Sequence, residues 1–279
     1  MATTLLLLLL GVIVGILGAV LGIGGGIVMV PVLTFLFDMP VHNAIAVSLV
    51  VITANSMSTS AVYLKTGTAN LNLGIALSTA SVAGALIGSK TAVHLPQSTV
   101  MIILGIIQFI MAYLTYIKMK KGSKNHSEIN ISKKSFFYGE YKDNATGKIV
   151  KYNPVKTGYN FLFSAFSGVF SGLSGAGGGA MIIPGMNLIS DVPIKAATAT
   201  SSFIIGFTAA AGSIVYMQAG YVDVKVVCSI ILGIYAGTAI SMRYFSKITD
   251  KKVSYLLIAL LLLVAFQMLY EGVNSLDWC

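Results

Sequence analysis

Apolar residues run in long blocks along this chain, at roughly 3–37, 43–64, 71–89, 99–117, 158–190, 194–219, 224–242 and 253–270. Within the blocks polar and apolar positions do not alternate, so the period-two signature of a membrane barrel is missing. About 20 apolar residues cover the ~30 Å hydrocarbon core as a helix, and a helix satisfies its own backbone N–H and C=O groups there. The pattern predicts an all-α polytopic membrane protein with eight hydrophobic segments. Composition points the same way: the 279 residues are 56% hydrophobic and 10% charged, with a mean hydropathy of +0.86. That is too little charge for a soluble surface and far too apolar for disorder.

The first and fifth blocks are much longer than the others, and in each a glycine cluster is followed by a proline. A continuous 35-residue helix would be about 50 Å long. Glycine in a helix costs about 1 kcal/mol relative to alanine. Each long block is therefore expected to be a helix, a break and a second short helix. The second helix should begin near Ile27 or Ala180 and carry Pro31 or Pro184.

These two blocks open an internal repeat at a constant offset of 153 residues. Gly15 matches Gly168, Gly22 matches Gly175, Gly24-Gly25-Gly26 matches Gly177-Gly178-Gly179, and Pro31 matches Pro184. The register continues through Asp38 and Asp191, Ser48 and Ser201, Tyr63 and Tyr216, and Gly84 and Gly237. The chain thus divides into a first membrane unit (1–117), a basic hydrophilic linker (118–156) and a second membrane unit (157–279). Each unit is a four-segment repeat.

Charge sharpens this picture. Net charge is +9, and ten of the eighteen Lys and Arg residues lie between Lys118 and Lys156. A basic stretch joining two apolar halves is better explained by the positive-inside rule than by nucleic-acid binding, and it places the linker in the cytoplasm. Within the linker, Phe136–Tyr141 has a strand-like aromatic look, and Asp143-Asn144 with Gly147 reads as turn chemistry. A small hairpin and a flexible tether are both compatible with that. Cys228 and Cys279 form no disulfide framework, and His42, His94 and His126 lie apart from them, so no metal set is expected. No cofactor is expected either. The apolar N-terminus lacks a basic n-region and reads as the start of the first membrane segment.

The glycine clusters carry the candidate chemistry. A helix broken inside the membrane leaves unpaired backbone N–H groups at the start of its second half. With the positive end of the helix dipole, those groups can hold an anion without a charged side chain. The expected substrate-binding groups are Gly24, Gly25 and Gly26 with Gly177, Gly178 and Gly179. Beside them stand Ser48, Asn55 and Ser56 of the second segment and Thr200, Ser201 and Ser202 of its repeat partner. The competing explanations are helix packing for the glycines and bonding to their own helix for the hydroxyls. No Asp, Glu, Lys or Arg lies well inside an apolar segment, which disfavours a proton relay or cation path. No nucleophile–base pair is visible, so an enzyme is not expected.

The pattern Gly18-Ala-Val-Leu-Gly22-Ile-Gly24-Gly25-Gly26-x4-Pro31, repeated as Ser171-Gly-Leu-Ser-Gly175-Ala-Gly177-Gly178-Gly179-x4-Pro184, resembles the TauE/SafE family of membrane permeases. The resemblance covers both halves and implies export of sulfite or of an organosulfur or organic anion across the cell membrane. An anion channel and an uptake permease for a small organic acid are the alternatives. The long central linker departs from the compact family pattern and is open to a regulatory role. The implied partners are a small anionic substrate and the lipid bilayer; a homo-oligomer is left open.

Topology forks on the broken segments. If each crosses the membrane, the repeats are parallel and the linker side holds 12 of the 18 basic residues. If each is re-entrant, the repeats are inverted and the linker side holds 16. The positive-inside rule favours inversion, although residues 3–21 alone are long enough to span.

Overall fold

The computed structural model describes residues 2–92, 96, 135–142, 147–245 and 250–274, together with residues 98, 99, 102, 105, 106, 109, 110, 112, 113, 116 and 117. Its helices are α1 (Ala2–Leu21), α2 (Gly26–Leu36), α3 (Val41–Lys65), α4 (Leu71–Ala92), α5 (Thr157–Ser174), α6 (Gly179–Ser190), α7 (Ile194–Gln218), α8 (Val224–Phe245) and α9 (Asp250–Asn274). A two-stranded hairpin, β1 (Gly139–Lys142) and β2 (Ile149–Tyr152), stands between the halves. The described residues between 98 and 117 are helical and lie along α9, where a Cβ on Gly105 would come 2.7 Å from Leu269 Cγ. Five of the described helical stretches are long and apolar enough to span a bilayer.

The helix boundaries recur at the sequence offset. α3 and α7 start and end 153 residues apart, and so do α4 and α8. Asp-x-Pro punctuates both halves at the same place. Asp38 and Asp191 adopt left-handed φ of 48° and 54°, and the prolines two residues on introduce α3 and α7.

Each broken segment folds back on itself. Gly178 lies against Ser167, Gly185 against Phe163 and Asn160, and the Val155 N–H donates to the Ser190 carbonyl at 3.2 Å. α6 therefore retraces α5, and the pair begins and ends at one side. In the first half Gly25 lies against Val14, the position equivalent to Ser167. α1 is long and apolar enough to cross. It runs two turns beyond Val14, and the glycine loop drops back before α2 starts.

The halves exchange partners. α1 packs along α8, with Gly233 against the Leu8 carbonyl and Gly237 against that of Val12. α5 packs along α4 in the equivalent way, with Gly84 against the Ala165 carbonyl and Gly88 against that of Val169. Here the glycines do serve close backbone approach, as small-residue stripes in membrane helices commonly do. α3 and α7 run antiparallel through the centre, where a Cβ on Gly212 would lie 3.3 Å from Leu49 Cδ1.

The distribution of side chains is that of a membrane protein. Large apolar groups face outward, among them Leu5 (61% exposed), Leu232 (66%) and Phe266 (75%), while many serines and threonines are buried. Such an exterior is stable only against lipid.

Candidate substrate site at the paired helix breaks

The two breaks share one backbone conformation. Gly22, Gly24 and Gly25 have φ of 65°, 81° and 88°; their repeat partners Gly175, Gly177 and Gly178 have 67°, 81° and 70°. A side chain in this left-handed region costs about 1–2 kcal/mol per residue, so three such positions within four residues select glycine. Close contact adds a second reason. A Cβ on Gly26 would lie 2.6 Å from the Gly175 carbonyl oxygen, and one on Gly179 would lie 2.8 Å from that of Gly22. The two breaks therefore touch each other at the centre of the molecule.

Side-chain donors hold the carbonyls of the breaks. Ser48 Oγ donates to the Gly175 carbonyl at 2.8 Å, and Ser201 Oγ donates to the Gly22 carbonyl at 2.7 Å. These bonds relate by the repeat, and each ties one half to the break of the other. Asn55 Nδ2 donates to the Gly24 carbonyl at 3.0 Å, while Asn55 Oδ1 accepts from Thr238 Oγ1 at 2.7 Å. Ser167 Oγ donates to the Gly178 carbonyl at 2.8 Å. One turn before each break, Tyr63 and Tyr216 hydroxyls donate to the carbonyls of Ala19 and Gly172 at 2.6 and 3.1 Å.

With the carbonyls occupied, the N–H groups are left. Among the described residues, no partner serves the N–H of Gly24, Gly25, Gly26 or Ile27, nor that of Gly177, Gly178, Gly179 or Ala180. Three buried hydroxyls near the breaks also lack a partner: Ser56 Oγ, Ser171 Oγ and Thr198 Oγ1. Ser56 Oγ would be 3.3 Å from a Cβ on Gly24, and Ser171 Cβ 3.2 Å from one on Gly178. Thr198 lies against Gly22. Buried donors without partners are expensive, which sets this cluster apart from the rest of the core.

The residues expected from sequence therefore have three placements. Gly24–Gly26, Gly177–Gly179 and Ser56 form the unpaired surface. Ser48, Asn55 and Ser201 sit at the breaks but bond carbonyl oxygens, so they shape the site. Thr200 Oγ1 instead accepts the Asn70 N–H at 3.0 Å, at the start of α4, and Ser202 Oγ donates to the Thr198 carbonyl at 3.2 Å. Ser167, Ser171 and Thr238 were not among the site residues expected from sequence. Ser167 and Ser171 replace Val14 and Gly18 of the first half, so departures from the repeat were the signal that could have found them.

The contacts at the breaks come from neutral groups. Lys195 is 3% exposed at the start of α7, one turn before Thr198. A shallow cleft of about 440 Å³, lined by Asn43, Val222, Asp223, Val224 and Lys225, lies at the opposite end of the molecule from Lys195.

The chain matches the family model "Sulfite exporter TauE/SafE" over residues 7–268. It is 28% identical over 277 residues to the probable membrane transporter protein YunE of Bacillus subtilis, covering 97% of this chain and 98% of that one. It is also 28% identical over 271 residues to the probable membrane transporter protein MJ0441 of Methanocaldococcus jannaschii, covering 92% and 91%. A second Bacillus subtilis relative, the probable membrane transporter protein YdhB, is 23% identical over 248 residues. No solved structure matches the chain. With the family pattern running through both glycine breaks and the apolar helices around them, the chain belongs to the sulfite exporter TauE/SafE family, multi-pass membrane transporters of the cell membrane and not enzymes.

Proposed function

We propose that this protein is a secondary transporter that exports a small anion, sulfite or an organosulfur or organic anion, by alternating access between two inverted four-segment repeats. The observation that carries the proposal is the pair of touching breaks. Eight N–H groups without partners and the hydroxyls of Ser56 and Ser171 gather there, at the positive ends of α2 and α6. Dipoles and donors of this kind stabilise negative charge, and broken helices at a repeat interface are a recurrent transporter device. The fold-back of α5 on α6 supports inversion, because a re-entrant first segment leaves three crossings per half and sends the second half in upside down. Sulfite as cargo is supported by the family description. Ser48, Asn55 and Ser201 act as positioning residues that keep the carbonyls turned away from the anion.

Purified protein in proteoliposomes loaded with labelled sulfite tests this reading. Saturable movement, inhibited by sulfonates or carboxylates and showing counterflow, is the expected result. Flux without saturation or counterflow would indicate a channel, and no flux of any sulfur anion through folded protein would overturn the substrate assignment.

A further inference from the structure

The open cleft has a counterpart in the other half, and that counterpart is filled. Subtracting or adding the repeat offset turns its lining residues Asn43, Val222, Asp223, Val224 and Lys225 into Ala196, Ala69, Asn70, Leu71 and Asn72. This second position is where the linker hairpin sits. Asn70 Nδ2 donates to the Phe137 carbonyl at 2.7 Å, and Asn72 Nδ2 donates to the Phe136 carbonyl at 3.0 Å. Gly139 presses on both Asn70 and the Tyr152 ring. Tyr141 and Tyr152, 4% and 3% exposed, join Leu73, Met186, Val192 and Ala196 in one apolar cluster.

We infer that the hairpin, residues 135–142 and 147–152, is a built-in lid seated over the linker-side helix ends, where the equivalent helix ends of the other half carry an uncovered cleft. The helix ends that frame the cleft recur in the other half at the repeat offset. What breaks the symmetry is an occupant supplied by the chain itself. Its seat is well made: two amide–carbonyl bonds, two buried tyrosines, and a backbone pairing in which Gly139 faces Tyr152 and Lys142 faces Ile149. Loop segments that merely tether two halves have no reason to bury tyrosines between helix ends.

The lid is also placed to act on the breaks. Asn70, which holds the lid, donates its backbone N–H to Thr200 Oγ1, and the next residue on α7, Ser201, holds the Gly22 carbonyl. Thr200 is thus a positioning residue under the lid. That part of the inference rests on the breaks being the substrate site.

The test uses the full chain with Cys228 and Cys279 replaced by serine, reconstituted with known orientation. Ala196→Cys reports the covered vestibule and Asn43→Cys the open one, each probed with a small membrane-impermeant thiol reagent from its own side. With the lid intact, Ala196→Cys should react at least tenfold more slowly than Asn43→Cys. Replacing 138–152 by a Gly/Ser linker should raise the Ala196→Cys rate at least tenfold and leave the Asn43→Cys rate unchanged. If the lidless chain does not fold, Asn70→Ala with Asn72→Ala serves instead and should raise the rate severalfold. Equal labelling of Ala196→Cys with the lid seated and removed would overturn the inference. Labelling needs no substrate, so it separates failure of the lid from failure of the anion assignment. Sulfite flux in the same vesicles, expected to rise without the lid, tests the coupling to the breaks.

Discussion

Removing the partnerless hydroxyls separates a binding role from a structural one. The hydroxyls of Ser56 and Ser171 make no hydrogen bond in the folded protein although both residues are buried, at 1% and 0% exposure. Alanine at these positions therefore deletes no native bond. A buried hydroxyl without a partner costs about 1–3 kcal/mol, so Ser56→Ala and Ser171→Ala should leave thermal stability unchanged or raise it. If each hydroxyl donates to the bound anion, its loss costs about 1.5–3 kcal/mol, the value of a hydrogen bond to a charged group. That corresponds to roughly a 10- to 150-fold rise in KM for sulfite flux per site. Ser201→Ala is the contrast. It strips the donor from the buried Gly22 carbonyl and should destabilise the fold by about 1–3 kcal/mol. Both properties can be read on one preparation, with flux in proteoliposomes and melting in detergent. Unchanged KM in the Ser56→Ala, Ser171→Ala double variant would refute the assignment of these groups to the anion.

Three further outcomes follow from the structure. Gly67 and Gly220 are repeat partners in open space, both with positive φ; for inverted repeats Gly67→Cys should label from the cytoplasm only and Gly220→Cys from outside only, whereas parallel repeats require the same side. Gly25→Ala should cost more stability than Gly67→Ala in thermal melts. Both incur about 1–2 kcal/mol of left-handed strain, but only Gly25 places its Cβ against Val14. Burial pushes the Tyr152 phenol up to about 12, against a smaller opposing effect of Asn70. The unfolded hairpin loses this proton near pH 10 while the seated one keeps it, so lid seating is intact below pH 10 and weakens progressively from 10 to 12. Tyr152→Phe should remove that dependence from the Ala196→Cys labelling profile.

Much of the fold was legible because two of its determinants are local. Apolar block length and glycine runs depend on nearby residues alone, so the α1–α2 and α5–α6 breaks, the helix starts after Pro40 and Pro193, and the 153-residue register could all be read directly. The hairpin was half legible: β1 at Gly139–Lys142 overlaps the aromatic stretch Phe136–Tyr141, and Gly147 has the positive φ of a turn residue, while Asp143 and Asn144 lie outside the described residues. Its seat on Asn70 and Asn72 was not legible, since nothing in either stretch names the other.

The site divides the same way. Composition and periodicity determined a helical membrane protein with two glycine-broken helices, because hydrocarbon forces backbone bonding within each segment and glycine is required where φ turns positive. Whether the chain doubles back at each break was decided by packing. Residues 3–21 are long enough to cross, and the doubling back shows in the contacts of Gly25 with Val14 and of Ser190 with Val155. Tertiary structure alone likewise decided which hydroxyls are free. Ser48, Ser56 and Ser201 look alike in sequence, but a hydroxyl's role depends on the acceptor it meets, and for Ser48 and Ser201 that acceptor is a carbonyl in the opposite repeat.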